Sequence, residues 1–234
     1  MNSKLIRFGS FSILLLLIFL GSVRAATPPS QREAQQTQLI WAIRSNDFKT
    51  VQKLLLEGLN PNYENEKNVS TTPLVEAIAE GQPKTIALLL DHGADVNFGT
   101  KDNIVPLCVA TWYNDSDTVK LLIQRGANLE ARDHEGYTPL LEAASHAQGL
   151  EVIKLLIAAG ANVKAKTSEE SETVLMLAAW NLNIDAIRLF IALGIDPCAK
   201  SKEGETAIDE VNAGFVKPEL RKQVLELLIS KCGS

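Results

Sequence analysis

The sequence predicts an all-α chain made of one helix–turn–helix unit repeated in tandem, and three observations in phase with one another predict it. Glycines recur at Gly58, Gly93, Gly126, Gly160 and Gly194, the last four at steps of 33, 34 and 34 residues. Those four sit inside versions of one phrase: LLLDHGADVN, LLIQRGANLE, LLIAAGANVK and LFIALGIDPC. A second landmark, TPLVEAI, VPLCVAT, TPLLEAA and TVLMLAA, begins at Thr72, Val105, Thr138 and Thr173. Third, apolar residues stand seven, four and three positions before each glycine: Val51/Leu54/Leu55, Ile86/Leu89/Leu90, Val119/Leu122/Ile123, Ile153/Leu156/Ile157 and Ile187/Phe190/Ile191. That i, i+3, i+4 spacing marks a helix with a single buried stripe.

Each part of the unit has a local cause. Proline after threonine suits the first turn of a helix, where its missing N–H leaves nothing unsatisfied and its fixed φ is already helical. The threonine before it is a helix N-cap. Glycine ends the second helix, and the Asx residue two positions later (Asn60, Asp95, Asn128, Asn162, Asp196) is expected to bond to its own turn backbone. A polar loop of about ten residues then leads to the next unit.

The ends differ from the middle. Residues 1–25 have the layout of an export signal: Lys4 and Arg7, the unbroken apolar run Ile13–Leu20, then Val23-Arg24-Ala25 with small residues where a signal peptidase reads, giving an expected cleavage after Ala25. As a membrane anchor the stretch from Phe8 to Gly21 is short and interrupted by Gly9, Ser10 and Ser12. Residues 26–35 read as a polar linker, and 36–234 as the repeat domain: five repeats plus a divergent C-terminal capping repeat. Leu39 to Arg44 opens the stack without the Thr-Pro landmark, and Glu205 to Lys231 closes it around an irregular turn at Gly214 and Pro218. Caps are needed because each repeat buries its face only against its neighbours.

A 33-residue unit with Thr-Pro-Leu, paired helices and a Gly-Ala-Asp/Asn close resembles the ankyrin repeat, over essentially all of Gln36 to Lys231. The resemblance implies an all-α ankyrin-repeat solenoid of helix-turn-helix units joined by β-turn loops. The chain departs from the family where a histidine usually follows Thr-Pro-Leu: Val75, Cys108, Leu141 and Met176 stand there instead. The hydrogen bond that histidine makes to the neighbouring loop is expected to be replaced by apolar packing.

Charge and cysteine content narrow the function. Without Lys4, Arg7 and Arg24 the remaining 209 residues hold 20 basic against 28 acidic side chains, a net charge of −8. Neither nucleic acid nor an anionic membrane surface is the natural partner of such a chain, and no membrane contact beyond the signal sequence is expected. A protein with a basic or mixed surface suits it better. Three cysteines leave one over, which argues against a disulfide framework. Cys108, in an apolar helical stretch, reads as a small core residue, while Cys198 and Cys232 form a possible disulfide near the C-terminal end.

Asp91, His92 and Asp95 look at first like a metal half-site or an acid/base pair. Their columns across the repeats hold Gln124, Ala158 and Ala192, then Arg125, Ala159 and Leu193, so only the Asp95 column keeps one chemistry, and that chemistry belongs to a turn. No nucleophile elbow, zinc-protease, Walker or dinucleotide motif occurs, and neither a cofactor nor a metal is expected. The alternative, a metal-binding or enzymatic module, rests on Asp91, His92 and His146.

A binding surface has more support. The resemblance implies that the first helix of each unit and the loop tips line one concave face. Three, six and seven residues after the landmark proline position stand Glu76/Ala79/Glu80, Val109/Trp112/Tyr113, Glu142/Ser145/His146 and Leu177/Trp180/Asn181, with Trp41 in the Glu76 column. The predicted partner-binding residues are therefore Trp41, Glu76, Glu80, Trp112, Tyr113, Glu142, His146, Trp180 and Asn181. Tryptophan and tyrosine bury much area with few torsions to freeze, which makes them interface anchors. The expected protein is a non-enzymatic, monomeric interaction module, exported to the periplasm or secreted. By analogy within the family it is an inhibitor or immunity protein for an envelope-acting toxin, or else an accessory to a periplasmic enzyme such as a catalase.

Overall fold

The computed structural model describes residues 31–64, 70–213 and 218–232. The expected leader, residues 26–30 of the expected linker and Gly214 of the closing turn lie outside them. Among the described residues twelve helices follow one another. They are α1 (Gln31–Arg44), α2 (Phe48–Leu56), α3 (Pro73–Ala79), α4 (Pro83–Asp91), α5 (Pro106–Trp112) and α6 (Ser116–Gln124). After these come α7 (Pro139–Ala144), α8 (Leu150–Ala158), α9 (Val174–Trp180), α10 (Ile184–Ala192), α11 (Ala207–Ala213) and α12 (Pro218–Cys232). Lys166 and Thr173 form an isolated β-bridge. The fold class is all-α, built of helix–turn–helix repeats.

The landmarks open the first helix of each unit for the reasons read from sequence. Thr72, Thr138 and Thr173 accept a hydrogen bond through their side-chain oxygen from the N–H of Val75, Leu141 and Met176, at 3.2, 3.4 and 3.3 Å. Pro73, Pro106 and Pro139 occupy the first turn. The four residues standing where the family usually has histidine are all buried, as apolar packing requires. One boundary moves. Residues 31–35, expected as linker, belong to α1. The run QREAQ is rich in good helix formers yet polar on every side, so it carries propensity without the apolar stripe that reveals a helix.

Second helices end at glycines with left-handed backbone, Gly93 at φ +86° among them, a conformation that strains any residue bearing a Cβ. The Asx residues then close the turn: Asn60, Asn128, Asn162 and Asp196 accept the N–H two residues on, at 3.0, 3.0, 3.0 and 2.9 Å. Four of the turns joining the two helices of a unit also use left-handed backbone, at Asn46, Gly81, Asn114 and Leu182, and the turn between α7 and α8 does not.

The chain divides after Asp95 into two compact units. In the first, α3 packs on α1 and α4 on α2. In the second, α5, α7, α9 and α11 stack in order, α6, α8 and α10 stack beside them, and α12 packs on α11. Fully buried Ile86 and Leu89 in one unit, and Leu122, Ile153, Leu156 and Phe190 in the other, form the stripes read from sequence. Burying such a side chain contributes about 1.5–3 kcal/mol, so the stripes supply much of the drive for stacking.

Candidate functional site

In the first unit the predicted contact residues sit on α1 and α3. Trp41 is 60 % exposed, and the Arg44 guanidinium, one turn further along α1, lies 5.9 Å from its ring centroid. Arg44 also grips Glu76 with both arms of its fork: Nε donates to Oε1 at 2.6 Å and Nη2 to Oε2 at 3.2 Å. The Thr71 hydroxyl donates to the same Oε2 at 3.1 Å. Glu76 is only 5 % exposed. It was expected to present free charge to a partner; packing of α3 on α1 instead makes it the buried half of an ion pair between repeats. Glu80, one turn on, remains exposed, and its carboxyl is held above the ordinary range by partial burial and by Glu76, against the pull of Arg44.

In the second unit the first helices bring together two groups of side chains. Trp112, the last residue of α5, is half-buried and meets the His146 ring edge-on, centroids 5.0 Å apart at an interplanar angle of 81°. Tyr113 follows it at 40 % exposure. His146 Nε2 lies 3.1 Å from Glu142 Oε1, and Glu142 is itself only 5 % exposed. This second acid, also expected to be free, is buried too, but its partner is His146 one turn on in its own repeat. Trp180 ends α9, half-buried, and Asn181 beside it donates through Nδ2 to the carbonyls of Ser145 at 2.7 Å and Leu177 at 3.1 Å. Asn183 adds a bond from Nδ2 to the His146 carbonyl at 3.2 Å. Amides of one repeat thus satisfy carbonyls at the end of the preceding first helix.

The structure therefore groups Trp112 with His146 and Glu142, and Asn181 with Ser145, in the second unit. Trp41, Glu76 and Glu80 belong to the first. Asp91 and His92 are exposed at the end of α4, where His92 Nδ1 lies 2.9 Å from the Leu88 carbonyl, a helix-end arrangement. Among the described residues no group of three or more His, Cys, Asp or Glu side chains is placed to hold a metal ion.

Asp133 was missed by sequence reasoning. It is buried in the loop before α7, and its Oδ1 accepts the N–H groups of Glu135 at 3.0 Å and Tyr137 at 2.9 Å. Burial, with a contribution from Glu142, raises its pKa to about 6, while those N–H groups and His134 oppose the rise. Its cue, DHEGY, looks like any polar loop, because nothing in the residue types says that this aspartate turns inward. Cys108 is free and buried, and burial pushes its thiol well above the ordinary value, as suits an inert core residue. Cys198 and Cys232 are joined as a disulfide, their Cα atoms 5.5 Å apart.

Helix pairs of this register, with capped Thr-Pro starts, glycine ends and Asx turns, define a helical repeat protein that carries its variable side chains on its first helices. A family model described as ankyrin repeats (3 copies) matches residues 5–100 and 107–201. The chain belongs to the ankyrin-repeat family, whose members are generally protein–protein interaction modules. No curated protein matches it. Among the described residues no helix is long and apolar enough to cross a membrane.

Proposed function

We propose that this chain is an exported module that binds a protein partner through the first-helix face of its repeats, within the cell envelope. The observation that carries the reading is in the second unit: Trp112, Tyr113 and Trp180 end α5 and α9 with part of each ring in solvent, although the core stripes lie on other columns. Rings held by neighbours and partly wet are pre-organised anchors, since little side-chain freedom is left to lose on binding. Trp41 offers the first unit a more exposed ring of the same type, with Arg44 fixed across it.

The partner's chemistry follows from which charges remain free. Glu76 and Glu142 are consumed inside the stack, so of the acids named for this face only Glu80 stays exposed. Attraction to a strongly basic surface is therefore reduced to Glu80 and the overall negative charge, and the aromatic anchors are left to set affinity. That weakens the acidic half of the case for a toxin inhibitor and leaves its aromatic half intact. Support for an accessory to an envelope enzyme is the same face, used to hold a subunit rather than to block one. Export rests on the layout of residues 1–25.

Two measurements test the reading. Expression in a bacterial host followed by fractionation and N-terminal sequencing is expected to yield a periplasmic chain beginning at Ala26; a cytoplasmic chain with its first residues intact contradicts export. Capture from the envelope of the producing cell is expected to retain a stoichiometric protein with the wild type and to lose it with Trp112→Ala/Trp180→Ala.

A further inference from the structure

In three repeats the residue four positions after the glycine links one loop to the next through its side chain, while Lys164 in the fourth only closes its own turn through its backbone N–H. Asn62 donates through Nδ2 to the Gly93 carbonyl at 3.0 Å and accepts the Asp95 N–H at 2.7 Å. Asn97 does the same for the Gly126 carbonyl at 3.2 Å and the Asn128 N–H at 2.7 Å. Glu130 accepts the Asn162 N–H at 2.7 Å. Cys198 occupies this column in the last full repeat, its backbone fixed by the same Asx turn. It reaches forward 34 residues to Cys232, its Sγ lying 3.4 Å from the Cys232 carbonyl and its sulfur bonded to Cys232. A covalent bond thus stands where Asn62, Asn97 and Glu130 of other repeats use a side-chain hydrogen bond.

The element it holds is weakly packed. Of the 15 residues of α12 only Val224 and Leu228 are buried, whereas Ile229 is exposed. Its first turns have a tether of their own: Arg221 donates through Nε to the Val211 carbonyl at 3.0 Å and through Nη2 to that of Asn212. Near its C-terminal end the disulfide at Cys232 ties the helix back to the loop that carries Cys198. Both cysteines are partly exposed, so a thiol reagent can reach them.

We propose that Cys198–Cys232 is a redox latch on the C-terminal capping helix: closed when oxidised, and releasing the second half of α12 when reduced. The opening step is thiol–disulfide exchange with a dithiol reductant. One reductant thiolate attacks a sulfur of the pair, a mixed disulfide forms and the other cysteine leaves as thiolate and is protonated. The second reductant thiol then resolves the mixed disulfide, so two electrons and two protons pass to the protein and the reductant becomes a disulfide. An oxidising compartment keeps the latch shut.

Hydrogen exchange on the full chain, oxidised and after dithiothreitol, reads the latch directly. Alkylation of the denatured oxidised protein is expected to find one thiol, that of Cys108. Reduction is expected to speed exchange across residues 223–232 by roughly 30-fold, the low end of what closing such a loop contributes, with α5 to α9 unchanged. Cys198→Ser/Cys232→Ser is expected to show the fast pattern with or without reductant. Three alkylatable thiols in the oxidised protein, equal exchange of α12 in both states, acceleration throughout the repeats, or a response of the double variant to reductant would each overturn the proposal.

Discussion

Glu76 shows how much hangs on one side chain once neighbouring repeats are in place. Its carboxylate has three donors from Arg44 and Thr71, and removing it leaves the guanidinium without this acceptor and the hydroxyl with only a long contact to the Thr72 carbonyl, in a mostly dry site. Glu76→Ala is expected to lower stability by about 2–3 kcal/mol, below the usual cost for a fully buried pair because Arg44 keeps part of its hydration. Urea denaturation checks this; a loss under about 0.5 kcal/mol contradicts the pairing. Asp133 gives a prediction about pH. Its folded pKa of about 6 lies above the ordinary carboxylate value of 3.8, so the folded state binds the extra proton between those values. Its contribution to stability is therefore largest near pH 4 and falls as pH rises through 6, by about 2–3 kcal/mol in all. Asp133→Asn can still accept the N–H groups of Glu135 and Tyr137 and is expected to remove that component. The difference between wild-type and variant unfolding free energies, followed from pH 4 to 8, is expected to grow in favour of the variant; a constant difference contradicts it. Neither residue's role was legible in sequence. Whether a glutamate in a first helix faces solvent or an arginine of the preceding repeat depends on the packing of α3 on α1, which spacing alone does not specify.

Helices and turns were far more legible, because their causes are local. Threonine starts, glycine ends and Asx turns each act within four residues, and those at Thr72, Thr138 and Thr173, at the five repeat glycines, and at Asn60, Asn128, Asn162 and Asp196 appear at their predicted places. Thr138→Ala removes the oxygen that caps α7 and is expected to cost about 1 kcal/mol, against a few tenths at Val105, which has no side-chain cap to lose. Thermal unfolding of the two variants side by side checks this, and equal effects contradict the cap. The start of α1 was hidden for the complementary reason that its first residues offer propensity and no periodicity. Leu182 was hidden as well: the left-handed turn residues are Asn46, Gly81, Asn114 and Leu182, and only the first three are residue types that announce left-handed backbone. At Leu182 burial of the side chain, 5 % exposed, offsets the backbone cost.

For the molecule as a whole, the register of the repeats placed the aromatic residues on first-helix columns apart from the core, and the structure leaves parts of Trp41, Trp112, Tyr113 and Trp180 in solvent. The same register placed Glu76 and Glu142 beside them as free acids, and there the packing between repeats reversed the expectation. A face with aromatic anchors and few free charges binds with little help from long-range attraction. Raising salt from 0.05 to 0.5 M, about a threefold shortening of the screening length, is accordingly expected to weaken partner binding by less than about 5-fold. A much steeper dependence, measured by titration calorimetry, contradicts the loss of acidic contacts. The central claim is that the first-helix aromatics of the second unit hold a protein partner. Its most direct measurement compares wild type with Trp112→Ala/Trp180→Ala for partner retention on an envelope extract, with circular dichroism melts confirming that both are folded. The account predicts a folded variant that loses a stoichiometric partner held by the wild type; a folded variant that retains every partner contradicts it.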